Sequence, residues 1–140
     1  MDTARAAYLA ELLPLFERVY SALVGVHSDL SVQYKRGWPK EISLDEWLAT
    51  NRELHSKYGF TQAGPHRADL EVKIGHRKAI ESLSRGQEKL LVCALKVAQG
   101  ELLSAAVGRR CLYLVDDLTA ELDSQNRHRV MKHLLTLGSQ

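Results

Sequence analysis

The sequence is poor in cysteine. Cys93 and Cys111 are its only two, and no CxxC spacing occurs in the 140 residues. That excludes a disulfide framework and a cysteine-based zinc site. Only three prolines and 6% aromatic residues are present, and there is no internal repeat or low-complexity tract. Fibrous, solenoid and disordered classes are excluded on that ground. An excess of one charge is missing too: 19 Lys+Arg face 17 Asp+Glu, leaving +2 with histidines neutral. This balance demands no polyanionic partner and leaves room for a local basic patch. No apolar run approaches the ~18 residues needed to cross a bilayer. Met1-Asp2-Thr3-Ala4-Arg5 opens no secretory signal, because an acid follows the methionine and no long apolar stretch comes after. The expectation is a reducing, cytoplasmic setting with no membrane partner.

What remains is ordinary globular material, 45% hydrophobic and 26% charged. A chain of this size buries roughly two thirds of its unfolded surface. Leu9, Leu12, Leu13, Phe16, Val19, Tyr20 and Leu23 predict a helix over 4–24 that kinks or restarts at Pro14 and ends at Gly25. Leu30, Val32 and Tyr34 alternate with polar residues, as in a strand with one buried face. Arg36-Gly37-Trp38-Pro39 is turn chemistry. Ser43 and Glu46 have capping-box spacing and open a second helix that Gly59 closes. Leu70, Val72 and Ile74 predict a strand over 69–74, followed by a turn at 75–78 with Ala79 and Ile80 pairing back. An apolar helix over 85–106 reads as buried on most sides. The unbroken run Cys111-Leu112-Tyr113-Leu114-Val115 reads as a central strand of a parallel sheet, covered on both faces. Asp123 caps a last helix over 124–137. Helix, central strand, helix is an α/β pattern, but one parallel strand makes no sheet, so the chain reads as part of a larger domain.

Three constellations carry chemistry. Ser84-Arg85-Gly86-Gln87 starts the buried helix. Its bland reading is a capping box. Its functional reading uses the same geometry, since a helix N-terminus offers free N–H groups and partial positive charge to a phosphate. Gly86 leaves room for close approach, and Arg85 adds a cation. Next, Asp116-Asp117 ends the apolar strand. Adjacent acids there suit Mg²⁺ and a polarised water, against the blander reading of a solvated strand end near Arg109 and Arg110. Last, Ala120-Glu121-Leu122-Asp123 is a turn and helix cap in isolation. The order and spacing of the three make them specific.

Read together, Gly64-Pro65-His66-Arg67-Ala68-Asp69-Leu70, Leu83 to Gln87 and Gly108 to Asp117 resemble the ABC-type ATPases, and within them the RecF family. Gly64 to Asp123 carries the likeness strongly, and residues 1–60 more weakly. The resemblance implies a partial ABC-type, P-loop NTPase-like α/β head. It would comprise part of a helical second lobe over 1–60, and the C-terminal part of the ATPase lobe over 61–140. By resemblance, Ser84, Arg85, Gly86 and Gln87 are the signature motif, contacting in trans the ATP of a partner subunit. Asp116 is the Walker B acid serving Mg²⁺, directly or through water, and Asp117 the catalytic acid. Glu121, Leu122 and Asp123 belong to the D-loop at the dimer interface. Arg67, Arg109 and Arg110 are candidate DNA contacts. Transporter-type members carry Gly at the place of Arg85 and Glu at that of Asp117; the departures fit RecF, and the shorter Asp117 implies slow turnover. The family implies ATP, Mg²⁺, gapped or single-stranded DNA, an ATP-dependent homodimer, RecO and RecR as partners, and the SOS response.

The sequence has no G-x-x-x-x-G-K-[ST]. The phosphate cradle and its lysine are therefore missing. This predicts a C-terminal-half fragment that by itself neither holds ATP tightly nor hydrolyses it. The rival reading is a non-catalytic dimerisation module of an SMC-like DNA protein. Cys93 and Cys111 read as small core residues. His128 and His133, five apart, are a poor helical metal pair. His66 follows a Gly-Pro turn whose role the residues do not reveal.

Overall fold

The computed structural model describes residues 2–25, 29–116 and 122–138. The stripe that predicts the first helix is the buried face of α1, Asp2–Val24: Leu9, Leu12, Phe16, Val19, Tyr20 and Leu23 all point inward. Pro14 neither breaks nor restarts it. Both Pro14 and Ala10, whose carbonyl loses its partner, are exposed. The missing bond therefore falls where water can reach the carbonyl, and the helix continues.

The partner of α1 is α5, Arg85–Val107, which presents Leu90, Ala94, Val97 and Ala98 to the same core. Small residues at 94 and 98 let the two helices approach closely. Each large apolar side chain buried here contributes roughly 1.5–3 kcal/mol. α5 is long and apolar enough to cross a membrane by length and composition alone, yet this stripe is its seam with α1, as in a core helix. The expectation of burial on most sides is corrected, because Val92, Leu103 and Val107 stay about half exposed. The last helix, α6, Ser124–Thr136, adds Val130. Its Arg129 donates to the Val24 carbonyl at 2.6 Å, satisfying one of the orphan acceptors at the end of α1.

Against these helices lies a three-stranded antiparallel sheet, in the order β1 (Leu30–Lys35), β2 (Asp69–Ile74), β3 (Arg77–Lys78). The register pairs Leu30 with Ile74, Val32 with Val72 and Tyr34 with Leu70, so the alternation sets one face on the core. The turn between β2 and β3 is tighter than the sequence reading. Gly75, at φ 59°, and His76 close a two-residue loop, and Arg77 pairs at once with Ile74. Ala79 and Ile80 therefore do not pair back; Ala79–Ser82 forms the short helix α4.

The single helix expected between Ser43 and Gly59 is two, α2 (Leu44–Thr50) and α3 (Arg52–Tyr58). Asn51 divides them. Its side-chain amide and its backbone N–H both donate to the Trp47 carbonyl, at 2.9 and 3.1 Å. Local bonding of this kind is how Asn competes with helix continuation. The predicted parallel strand over 111–115 is also corrected. The segment pairs with no strand among the described residues. Instead it lies along α5: Cys111 N–H donates to Ser104 Oγ at 3.2 Å, and Tyr113 O–H to the Val97 carbonyl at 3.2 Å. Leu112 and Leu114 face away, 69% and 91% exposed, so only one face of the run is covered. The segments on either side of residue 60 share this sheet and this core.

Candidate functional site

Ser84 to Gln87 form the tip of α5, delivered by α4, whose Ala79 is buried. Leu83 N–H donates to the Ala79 carbonyl at 2.9 Å, ending α4 where α5 must begin. The capping box is complete. Ser84 Oγ accepts from the Gln87 N–H at 3.4 Å, and Gln87 Oε1 accepts from the Ser84 N–H at 2.9 Å. The box leaves the Arg85 and Gly86 N–H groups, which have no intrahelical acceptor. Ser84, Arg85 and Gln87 are exposed and Gly86 is half-buried. The tip is thus solvent-facing and preorganised, with two free donors, a helix dipole and a guanidinium together. These residues fit an anionic phosphate offered from outside the chain.

Asp116 is exposed. The segment leading to it meets α5 first at Ser104 and Gly100 and then at Val97, so it heads back toward the α5 tip. Gly100 permits this contact, because a Cβ there would lie 2.0 Å from the Tyr113 hydroxyl oxygen. Burial, and the charges of Cys111 and Glu101 beside it, raise the Tyr113 phenol pKa above its usual value. Among the described residues, no hydrogen bond or ion pair joins Asp116 to Ser84 to Gln87. Asp117 and Glu121 lie outside the described residues. Leu122 is a core residue, 4% exposed. Asp123 caps α6, accepting from the Asn126 N–H at 2.7 Å and from its side-chain amide at 2.9 Å. Among the described residues, no group of three His, Cys, Asp or Glu side chains gathers to hold a metal. Of the Asp116-Asp117 pair, only Asp116 is among the described residues.

Of the three arginines read as DNA contacts, Arg67 and Arg109 are exposed, and Arg110 donates to the Gly138 carbonyl at 2.9 Å. They do not form one patch with the α5 tip through any described contact. What the sequence reading missed surrounds Arg67. Lys35, Arg36 and Lys40 share a groove of about 440 Å³ with it. These cations stand some thirty positions from Arg67 in sequence; the β1–β2 pairing, which ends at Lys35 and Asp69, and the Gly37–Gly64 contact bring them together. The turn residues at 36–39 were the available signal.

No family model matches the sequence. Whole-chain comparison is decisive. The DNA replication and repair protein RecF of Pseudomonas fluorescens (strain SBW25) is 46% identical over all 140 residues. The chain is RecF-like throughout. RecF of Chromohalobacter salexigens is 49% identical over 135 residues, 96% of the chain. The chain spans 38% and 37% of these two relatives. Among solved structures, the recombination mediator protein RecF with ATP, of the RecFOR pathway, superposes with a TM-score of 0.76. It is 26% identical, over 94% of the chain and 37% of its own length. The RecF-ATPrS counterpart gives 0.74 at 27% identity, over 92% of the chain and 37% of its own length. The RecF-like fold is thus that of a partial ABC-type ATPase head, α/β, with its Walker A half absent from the sequence.

Proposed function

We propose that the chain supplies the signature-motif portion of a RecF-type DNA replication and repair ATPase. Ser84 to Gln87 complete, from one subunit, an ATP held by another. Asp116 serves Mg²⁺, Asp117 polarises the attacking water, and Glu121 and Asp123 lie at the subunit interface, where buried Leu122 anchors their stretch to the core. Residues 1–60 belong to the helical lobe and 61–140 to the ATPase lobe. ATP and Mg²⁺ would supply the charge that holds the two subunits together; the chain's own part is to donate N–H groups and to orient acids. Gapped or single-stranded DNA, RecO and RecR, the SOS response and a cytoplasmic location follow from the same reading. The observation that supports it best is the exposed α5 tip, its capping box formed and two N–H groups left open, within a chain RecF-like end to end.

The test is a chimera. The matching 38% of Pseudomonas fluorescens RecF is replaced by this chain, and ATP turnover is measured with and without Asp117→Asn. The expected result is turnover in the parent chimera and a loss of about 10²–10⁴-fold in the variant, the usual size of a lost general base. Equal turnover would remove Asp117 from catalysis. A chimera that folds and dimerises with ATP yet never hydrolyses it would favour the non-catalytic dimerisation module.

A further inference from the structure

The loop over 36–40 and the loop over 62–67 are welded together. Gly64 N–H donates to the Gly37 carbonyl at 2.9 Å. Gly37, at φ 96°, admits no side chain: a Cβ there would lie 2.2 Å from the Gly64 carbonyl oxygen. Arg5 of α1 fixes the second loop by donating to the Pro65 carbonyl at 3.0 Å. Between the loops runs the groove of about 440 Å³, and Lys35, Arg36, Lys40 and Arg67 line it with no carboxylate among its walls. The four cations differ in standing. Lys35 is partly spent on Glu71, at 2.8 Å. Arg36 lies over the Trp38 ring, 4.7 Å from its centroid, and donates to the Trp38, Pro39 and Ile42 carbonyls. It is a fixed charge that stiffens the loop. Lys40 and Arg67 are exposed and have no acid partner among the described residues. The Trp38 indole N–H also lacks an acceptor.

We propose that this groove binds the phosphodiester backbone of nucleic acid, with Lys40 and Arg67 as its phosphate contacts. A preorganised basic trough with an aromatic wall and side-chain amides such as Gln62 is the chemistry that tracks a nucleic-acid strand. The proposal deepens the DNA-repair reading above and rests on it. It also gives the Gly64–Arg67 loop a role: the loop holds one wall of the trough.

Fluorescence anisotropy of the 140-residue chain tests it. The probes are a labelled mixed-sequence single strand of about 20 nucleotides and its duplex, titrated from about 20 to 200 mM salt. The variant Lys40→Ala/Arg67→Ala should bind about tenfold more weakly at low salt, and its single-strand salt slope should fall by about 1.4. Lys96→Ala/Lys132→Ala removes the same charge from exposed sites outside the groove and should lose far less. All four substituted positions are exposed, and matching thermal melts verify folding. Parent binding with equal losses in both double variants overturns the groove and spares the DNA reading. No binding by the parent to either probe overturns both. Competition by poly-glutamate as strong as by DNA, at equal charge, replaces nucleic acid with an acidic protein and overturns the proposal.

Discussion

Glu71 stands among three lysines: Lys35 at 2.8 Å, Lys73 at 3.3 Å and Lys78 at 4.0 Å. The hydrogen bond from Lys35 comes first among the causes that hold its carboxyl below the ordinary value, against a smaller opposing effect of desolvation, with Lys73 adding to the lowering. A carboxylate whose pKa is depressed on folding adds stability above its unfolded pKa. That stability is lost as pH falls through the folded value. Below the ordinary 4.5, the parent should therefore lose stability more steeply than Glu71→Gln. Urea midpoints across that range measure it, and parallel pH profiles would refute it. At the α5 tip, Arg85→Ala removes the cation of the first helical residue, beside the two free N–H groups. In the RecF chimera it should weaken ATP-dependent dimerisation by about tenfold, as for a lost charge-assisted hydrogen bond. Sedimentation with and without ATP reads this out, and unchanged dimerisation would detach Arg85 from the nucleotide.

At the scale of elements, the α1–α5 seam carries the fold. Phe16, 2% exposed, is its largest fully buried side chain. Phe16→Ala should cost about 3–5 kcal/mol, read as a drop in the denaturation midpoint at constant slope. Pro14 offers the opposite test. Because it sits on the solvent face of α1, Pro14→Ala should stabilise the chain by about 1–3 kcal/mol, restoring a helix bond without touching the core. Elements whose signal is local were legible in the sequence. The alternation at 30–34 and 70–74, the Ser84 capping box and the Asp123 cap each act within a few residues. Where a contact distant in sequence decides, the residues were silent. Asn51 splits a helix whose apolar pattern runs on. The run 111–115 has strand composition but finds α5 on one side and no strand beside it. The basic trough depends on two glycines 27 positions apart, which no window of sequence would join. For the tip, the residues named its parts, and the structure adds that Ser84 and Gln87 already satisfy each other while Arg85 and Gly86 remain open.

At the scale of the whole molecule, helices α1 and α5 are tied by an ion pair as well as by the core, and α6 meets the same acid. Glu101 pairs with Arg18 from α1 and stands 3.6 Å from His133 of α6. The opposite side of α5 is different. Val92, Leu103 and Val107 remain about half exposed, and the outward leucines 112 and 114 continue that apolar character. Large apolar side chains left in water favour association. Concentration-dependent association is expected, and Leu112→Lys/Leu114→Lys should suppress it; a parent that sediments as a monomer at every concentration would show that the face is inert. The outward leucines carry a practical consequence. A seam lined on one side and open on the other invites reconstitution, so the chain should serve as one half of a split reporter, its signal returning only when a complementary piece closes over Leu112 and Leu114.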